Sequence, residues 1–226
     1  VQESQVLLRN RKHALPIRSN GGTIYVAGSN ADNIGNQAGG WTLTWQGGST
    51  NVIPGTTILQ GIRQHARHAK VVYSATAAAR VPHGATGIVV VGETPYAEGF
   101  GDVNGPQWAY DPGDNGVPRP VKDMQLSTSD KAAVDRVCSA AAKCIVVVVS
   151  GRPLQIDPKQ LNETDALVAA WLPGSEGEGV ADDLFGAARY IGKLPVTWPR
   201  TVGQEPINIG DRNYNPLYPY GFGLHT

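Results

Sequence analysis

Short apolar runs recur along this chain, each bounded by glycine, proline or a polar cluster. They lie at 23–27, 71–74, 87–92, 145–149 and 166–172. The run Gly87-Ile88-Val89-Val90-Val91-Gly92 is continuous and β-branched, the pattern of a strand buried on both faces, as in parallel sheets. Between the runs, 56–67 reads as an amphipathic helix with Ile58, Leu59, Ile62 and Ala66 on one face. A second helix is expected over 129–142, with Ser127 or Ser129 as N-cap. A third, over 176–185, is stopped by Gly186. The segment 194–199 reads as an edge strand, because Pro195 and Pro199 cannot donate to a ladder. Strands alternating with helices predict the α/β class: a three-layer, flavodoxin-like sandwich with a mostly parallel sheet of five or six strands and one antiparallel edge strand. The opening residues 1–8 read as the end of a helix already under way. With no initiator Met, they suggest a piece cut from a larger protein at a domain boundary.

Composition narrows the functional classes. Lys+Arg and Asp+Glu balance at 19 each, which leaves no electrostatic footprint for nucleic acid or an anionic membrane. No apolar run approaches the roughly 18 residues of a membrane span. The stretch 100–124 is rich in Gly, Pro, Asp and Asn. It leaves the sheet at the same end as Glu93, where a loop so long is expected to form a functional rim.

Candidate chemistry gathers at that end. Glu93 directly follows the central run, and open α/β sheets bind ligands beyond the carboxyl ends of their strands. Glu98 and Asp102 lie further out, where polar loop duty is expected. A carboxylate placed like Glu93 suits general acid/base work. Beyond the first strand, Trp41 and Trp45 sit in the glycine-rich segment 39–48. An indole face matches the C–H face of a sugar ring, and the alternative is a loop folded back over both rings. The segment 174–179 superficially suggests a phosphate cradle, but Glu176, Glu178, Asp182 and Asp183 already complement the helix dipole and would repel phosphate. His65 and His68 read as solvated helix-end cations rather than metal ligands, and no Gly-x-Ser-x-Gly elbow occurs. Cys138 and Cys144 flank a helix-to-strand corner that either a disulfide or two buried thiols would fit.

Several segments together resemble the C-terminal α/β-sandwich domain of family 3 glycoside hydrolases. They are 3–10 followed by Leu15-Pro16-Ile17, the stretch Ala169-Ala170-Trp171-Leu172-Pro173-Gly174-Ser175-Glu176-Gly177, Asp183-Leu184-Phe185-Gly186, 192–199, and the ending 216–224. Gly40-Trp41-Thr42 and Val91-Gly92-Glu93 look most like the plant β-D-glucan exohydrolases and their bacterial relatives. The resemblance implies residues 1–20 as helix end and linker from a missing N-terminal (β/α)8 barrel, and 21–226 as the sandwich domain. It implies Glu93 as catalytic acid/base, held protonated by a dry, partly apolar domain interface. Trp41 becomes one side of an aromatic clamp, Trp45 and Trp108 further substrate contacts, and Cys138–Cys144 a disulfide. The implied activity is that of a retaining exo-acting β-glucosidase or β-glucan glucohydrolase, secreted or periplasmic. Its substrates would be β-glucan or β-glucoside oligosaccharides, and it would need no metal or organic cofactor. The nucleophilic aspartate would lie on the barrel, leaving this chain catalytically incomplete. Two departures stand out: Thr94, where the plant branch usually has histidine, and a longer loop after Asp102, with Trp108 and Tyr110. The rival reading is a non-catalytic carbohydrate-binding or scaffold domain.

Overall fold

A computed structural model describes residues 1–18, 21–51, 53–105, 110 and 112–226. The apolar runs become strands β1 (Val6–Asn10), β2 (Thr23–Ala27), β3 (Lys70–Tyr73), β4 (Thr86–Gly92), β5 (Lys143–Val149) and β6 (Ala166–Trp171). Among the described residues they form one sheet of order β1-β6-β5-β4-β2-β3. All neighbours pair parallel except β1, which runs antiparallel to β6.

Alternation along the strands divides the core between the two faces. Tyr25, Val89, Val91, Val146 and Val148 face one layer with Ala133, Val134 and Val137 of helix α3 (Thr128–Cys138). Ile24, Val26, Ile88, Val90, Ile145 and Val147 face the other. There they meet Ile58, Leu59 and Ile62 of α2 (Ile58–His65) and Val180, Ala181 and Leu184 of α5 (Gly177–Phe185). Short helices α1 (Ile34–Ala38) and α4 (Pro158–Glu163) complete the set.

Local chemistry explains the boundaries. Thr57 and Gln60 form a capping box at the start of α2. The Ser127 side chain accepts from the Asp130 amide at the start of α3. Gly186 ends α5 at φ 76°, a left-handed position that suits a residue without Cβ. Cys138 and Cys144 are disulfide-bonded, joining the end of α3 to β5 with Cα atoms 5.0 Å apart. No helix among the described residues is long and apolar enough to cross a membrane.

Two expectations are corrected. The leading segment is not helical beyond a 3-10 turn at Gln2–Ser4; Val6-Leu7-Leu8 enters the sheet as β1. An apolar run that short has no period of its own, and pairing with β6 decides it. The residues 194–199 supply no strand of the sheet. Trp198 makes an isolated bridge to Tyr218, with its indole buried and donating to the Leu154 carbonyl at 3.0 Å. The antiparallel edge is β1 instead.

Candidate active site

The sheet order places a topological switch between β2 and β4. From β2 the chain moves outward to β3, then returns to the other side of β2 as β4. Loops leaving β2 and β4 therefore diverge and open a crevice at their carboxyl ends. The β2 loop carries α1 and the segment 39–48, and the β4 loop begins with Glu93. Asp130, in the first turn of α3, fastens the two from beneath. Its carboxylate accepts from the Ser29 amide at 3.0 Å and the Ser29 hydroxyl at 2.7 Å, and from the Gly92 amide. Burial raises the Asp130 pKa, which these hydrogen bonds only partly oppose. Sequence reasoning passed over Asp130; its place three residues after the cap Ser127 was the available signal.

Glu93 projects into a cavity of about 130 Å³ lined by Asn36, Gly39, Gly40, Thr94, Tyr96 and Leu172. Its side chain is only 7% exposed, and that of its partner Arg152 19%. Arg152 Nη2 donates to Glu93 Oε1 at 2.8 Å and Nε donates to Oε2 at 3.2 Å. The Tyr96 hydroxyl donates to Oε2 at 3.0 Å. A guanidinium and a phenol thus reach Glu93 from within this chain, and both carboxylate oxygens act as acceptors. Arg152 comes from a different strand end, after β5, where no sequence motif flagged it. It also donates to the Gly101 carbonyl at 2.6 Å and lies 4.8 Å from the Tyr96 ring centre. Burial alone would lower the Arg152 pKa, but the hydrogen bonds and charge of Glu93 outweigh it and carry it upward. Burial, reinforced by the Glu93 charge, drives the Tyr96 phenol well upward.

The long loop folds back on this centre. Lys122 donates to the Thr94 carbonyl at 3.2 Å and hydroxyl at 2.8 Å, and its pKa is lowered by burial. Arg119 pairs with Asp114 at 2.8 Å and donates to the Pro95 carbonyl at 3.2 Å. Trp108 lies outside the described residues, and Tyr110 is exposed.

Trp41 is 69% exposed, so its ring is not folded into the core. Trp45 is half-buried, edge-on to Phe100 with ring centres 5.6 Å apart. Both indole N–H groups donate to one carboxylate, Glu98, from Trp41 at 3.2 Å and from Trp45 by a shorter contact. Glu98 therefore does more than the loop duty expected of it. Gly40 lets the two loops touch: a Cβ there would come within 2.2 Å of the Tyr96 carbonyl oxygen.

The other candidate motifs take structural roles. His65 is not merely solvated: Nε2 lies 2.8 Å from Asp182 and the ring stacks on Phe185, clasping α2 to α5. The Gly177 amide at the start of α5 donates to the Thr56 carbonyl. Among the described residues no group of three or more His, Cys, Asp or Glu is arranged to hold a metal ion.

Together, the sheet order, the switch-point crevice and the carboxylate beside the tryptophan loop define a doubly wound α/β sandwich with its working loops at one end. The model of the glycosyl hydrolase family 3 C-terminal domain matches residues 5–226, and the chain belongs to that family. A lysosomal beta glucosidase of Dictyostelium discoideum is 28% identical over 253 residues, covering 99% of this chain and 28% of that protein. A periplasmic beta-glucosidase of Salmonella typhimurium is likewise 28% identical, covering 99% of this chain and 33% of its own length. The structure of an exo-1,3/1,4-beta-glucanase (ExoP) from a Pseudoalteromonas species superposes with a TM-score of 0.79 at 35% identity, covering 98% of this chain and 27% of that one. A beta-glucosidase from Listeria innocua, at 23% identity and TM-score 0.69, shares the fold, covering 98% of this chain and 32% of that one. The chain thus spans between 27% and 33% of the length of these relatives.

Proposed function

We propose that this chain is the acid/base-bearing lobe of a retaining, exo-acting β-glucosidase or β-glucan glucohydrolase. It acts on β-glucan or β-glucoside oligosaccharides and releases glucose from non-reducing ends. The observation that carries the reading is Glu93 at the switch-point crevice, open to a small cavity and flanked by the Trp41 and Trp45 loop. Retention needs a second carboxyl group about 5–5.5 Å from the first. The reading assigns that nucleophile to an aspartate on a separate (β/α)8 barrel, and the chain alone is then incomplete. Trp41 stacks on the sugar beyond the scissile bond, with Trp45 supporting it. The disulfide, and a relative named as periplasmic, support a secreted or periplasmic location.

In this mechanism Glu93 has two duties. With both oxygens accepting, it is ready to take a proton from the water that cleaves the glycosyl-enzyme. Donating a proton to the leaving oxygen requires Arg152 to withdraw from it. Arg152 keeps two other holds during that shift, the Gly101 carbonyl and the Tyr96 face. The same ion pair favours the rival reading, a binding or scaffold domain in which Glu93 merely satisfies Arg152.

Glu93→Ala in the enzyme containing this chain separates the two. The acid/base reading expects kcat on poor leaving groups to fall by about 10²–10⁴-fold. Azide should partly restore turnover of activated aryl β-glucosides, trapped as the glycosyl azide. Unchanged kcat would leave the binding-domain reading.

A further inference from the structure

We infer that Glu98 is the positioning residue that fixes the faces of Trp41 and Trp45 relative to Glu93, and so sets affinity for the sugar beyond the scissile bond. The inference rests on the reading above, in which Trp41 stacks on that sugar.

An exposed indole is held by little packing and turns readily about its side-chain bonds. Its single N–H is the one directional handle it has. Here both handles are caught by one residue, with Trp41 Nε1 donating to Glu98 Oε1 at 3.2 Å and Trp45 Nε1 donating to Oε2. A carboxylate is the stronger kind of acceptor, and with its two oxygens divided between the rings it fixes them as a pair. Glu98 stands five residues after Glu93 on the same loop. The platform and the acid are therefore referred to one piece of backbone.

The backbone around this bridge is committed to it. Gln46 Nε2 donates to the Ala97 carbonyl at 3.0 Å, and the Ala97 amide donates to Gln46 Oε1 at 2.8 Å, immediately before Glu98. The Trp41 amide donates to the Trp45 carbonyl at 2.9 Å, closing the tryptophan loop on itself. Trp41, Leu43 and Glu98 all occupy left-handed backbone, at φ of 59°, 64° and 43°. Such conformations are costly for residues other than glycine, and they persist where surrounding contacts over-determine them.

The test is a double-mutant cycle in the enzyme containing this chain, with laminaribiose as substrate and glucose release as readout. Glu98→Ala should raise KM about tenfold while kcat stays within about twofold. Added to a Trp41→Ala/Trp45→Ala background, the same substitution should change KM little, because the rings it orients are gone. The tryptophan emission of Glu98→Ala should also shift from that of the parent. If Glu98→Ala proves unfolded, Glu98→Gln carries the test: it keeps one acceptor oxygen and should raise KM by about threefold. Parental KM in a folded Glu98 variant, with Trp41→Ala still raising KM, would overturn the inference and leave the platform standing. So would an undiminished Glu98 effect in the background lacking both rings. Unchanged KM in Trp41→Ala would instead sink the platform itself, and with it any role for Glu98 through it.

Discussion

At the amino ends of the strands Asp165 pairs with Lys12 at 2.9 Å, and the lysine side chain is 68% exposed. At the carboxyl ends Glu93 pairs with Arg152, and there both partners are largely withdrawn from water. The two pairs hold opposite ends of one sheet and do different things. Asp165 is anchored whether or not Lys12 is present: its carboxylate accepts from the Cys144 amide at 3.0 Å, and its carbonyl accepts from the Arg11 amide. With the Cys138–Cys144 bond beside it, that end is fastened by local, redundant links. Glu93 depends on Arg152, which reaches it from the end of another strand, and on Tyr96 of its own loop. One end is closed against change, while the other holds a charge pair between two strand ends, beside a small cavity.

The contrast is broken most forcefully at the carboxyl end. Arg152→Ala leaves a buried carboxylate unpaired and should cost about 3–5 kcal/mol in urea unfolding. Glu93→Gln combined with Arg152→Met should recover most of that loss, because no charge is then stranded. Equal costs for the single and double variants would mean that Arg152 contributes packing alone.

Asp183, near the end of α5, sharpens the contrast, because it is a buried carboxylate with no salt bridge among the described residues, and only the charge of the amino terminus opposes the rise in its pKa. Neither of its carboxylate oxygens is hydrogen-bonded in the described structure. Burial, with help from Asp182, pushes its pKa from 3.8 up to about 7. Between those values the folded chain keeps a proton that the unfolded chain has released. Stability should therefore fall as pH rises through this window and level off above about pH 7, by about 4 kcal/mol at most. Asp183→Asn should flatten the profile and be the more stable protein at pH 8. A parent whose stability is constant between about pH 4 and 7 would contradict this.

The smallest effect belongs to the pair whose cation is exposed and whose carboxylate keeps a backbone partner. Lys12→Ala should lower stability by less than about 1 kcal/mol, and the difference should vanish in high salt. A loss as large as that of Arg152→Ala would erase the distinction between the two ends.

Much of this architecture was legible in the chain because the strands are buried on both faces. Continuous β-branched runs such as Ile145–Val149 have one stable reading, and Thr23–Ala27 is a strand to the residue. Glu93 was legible for the same reason, as the polar residue where such a run stops. What escaped was decided by partners distant in sequence. Val6-Leu7-Leu8 is a strand because β6 offers an open edge. Arg152 meets Glu93 across 59 positions, and Glu98 meets Trp41 across 57. None of these leaves a period or a spacing to read. The segment 194–199 shows the converse: prolines correctly barred a central strand, but a buried tryptophan, not an edge, gives it its place.

Whether Glu93 is one half of a catalytic pair completed elsewhere is tested most directly by aryl β-glucoside hydrolysis. The assay compares the 226-residue chain alone with the same chain joined to the barrel that the proposed function assigns to it. The isolated chain should be inactive, and the joined form should turn over at a rate that depends on Glu93. Glu93-dependent hydrolysis by the isolated chain would contradict this, because the second carboxyl group would then have to lie within this domain.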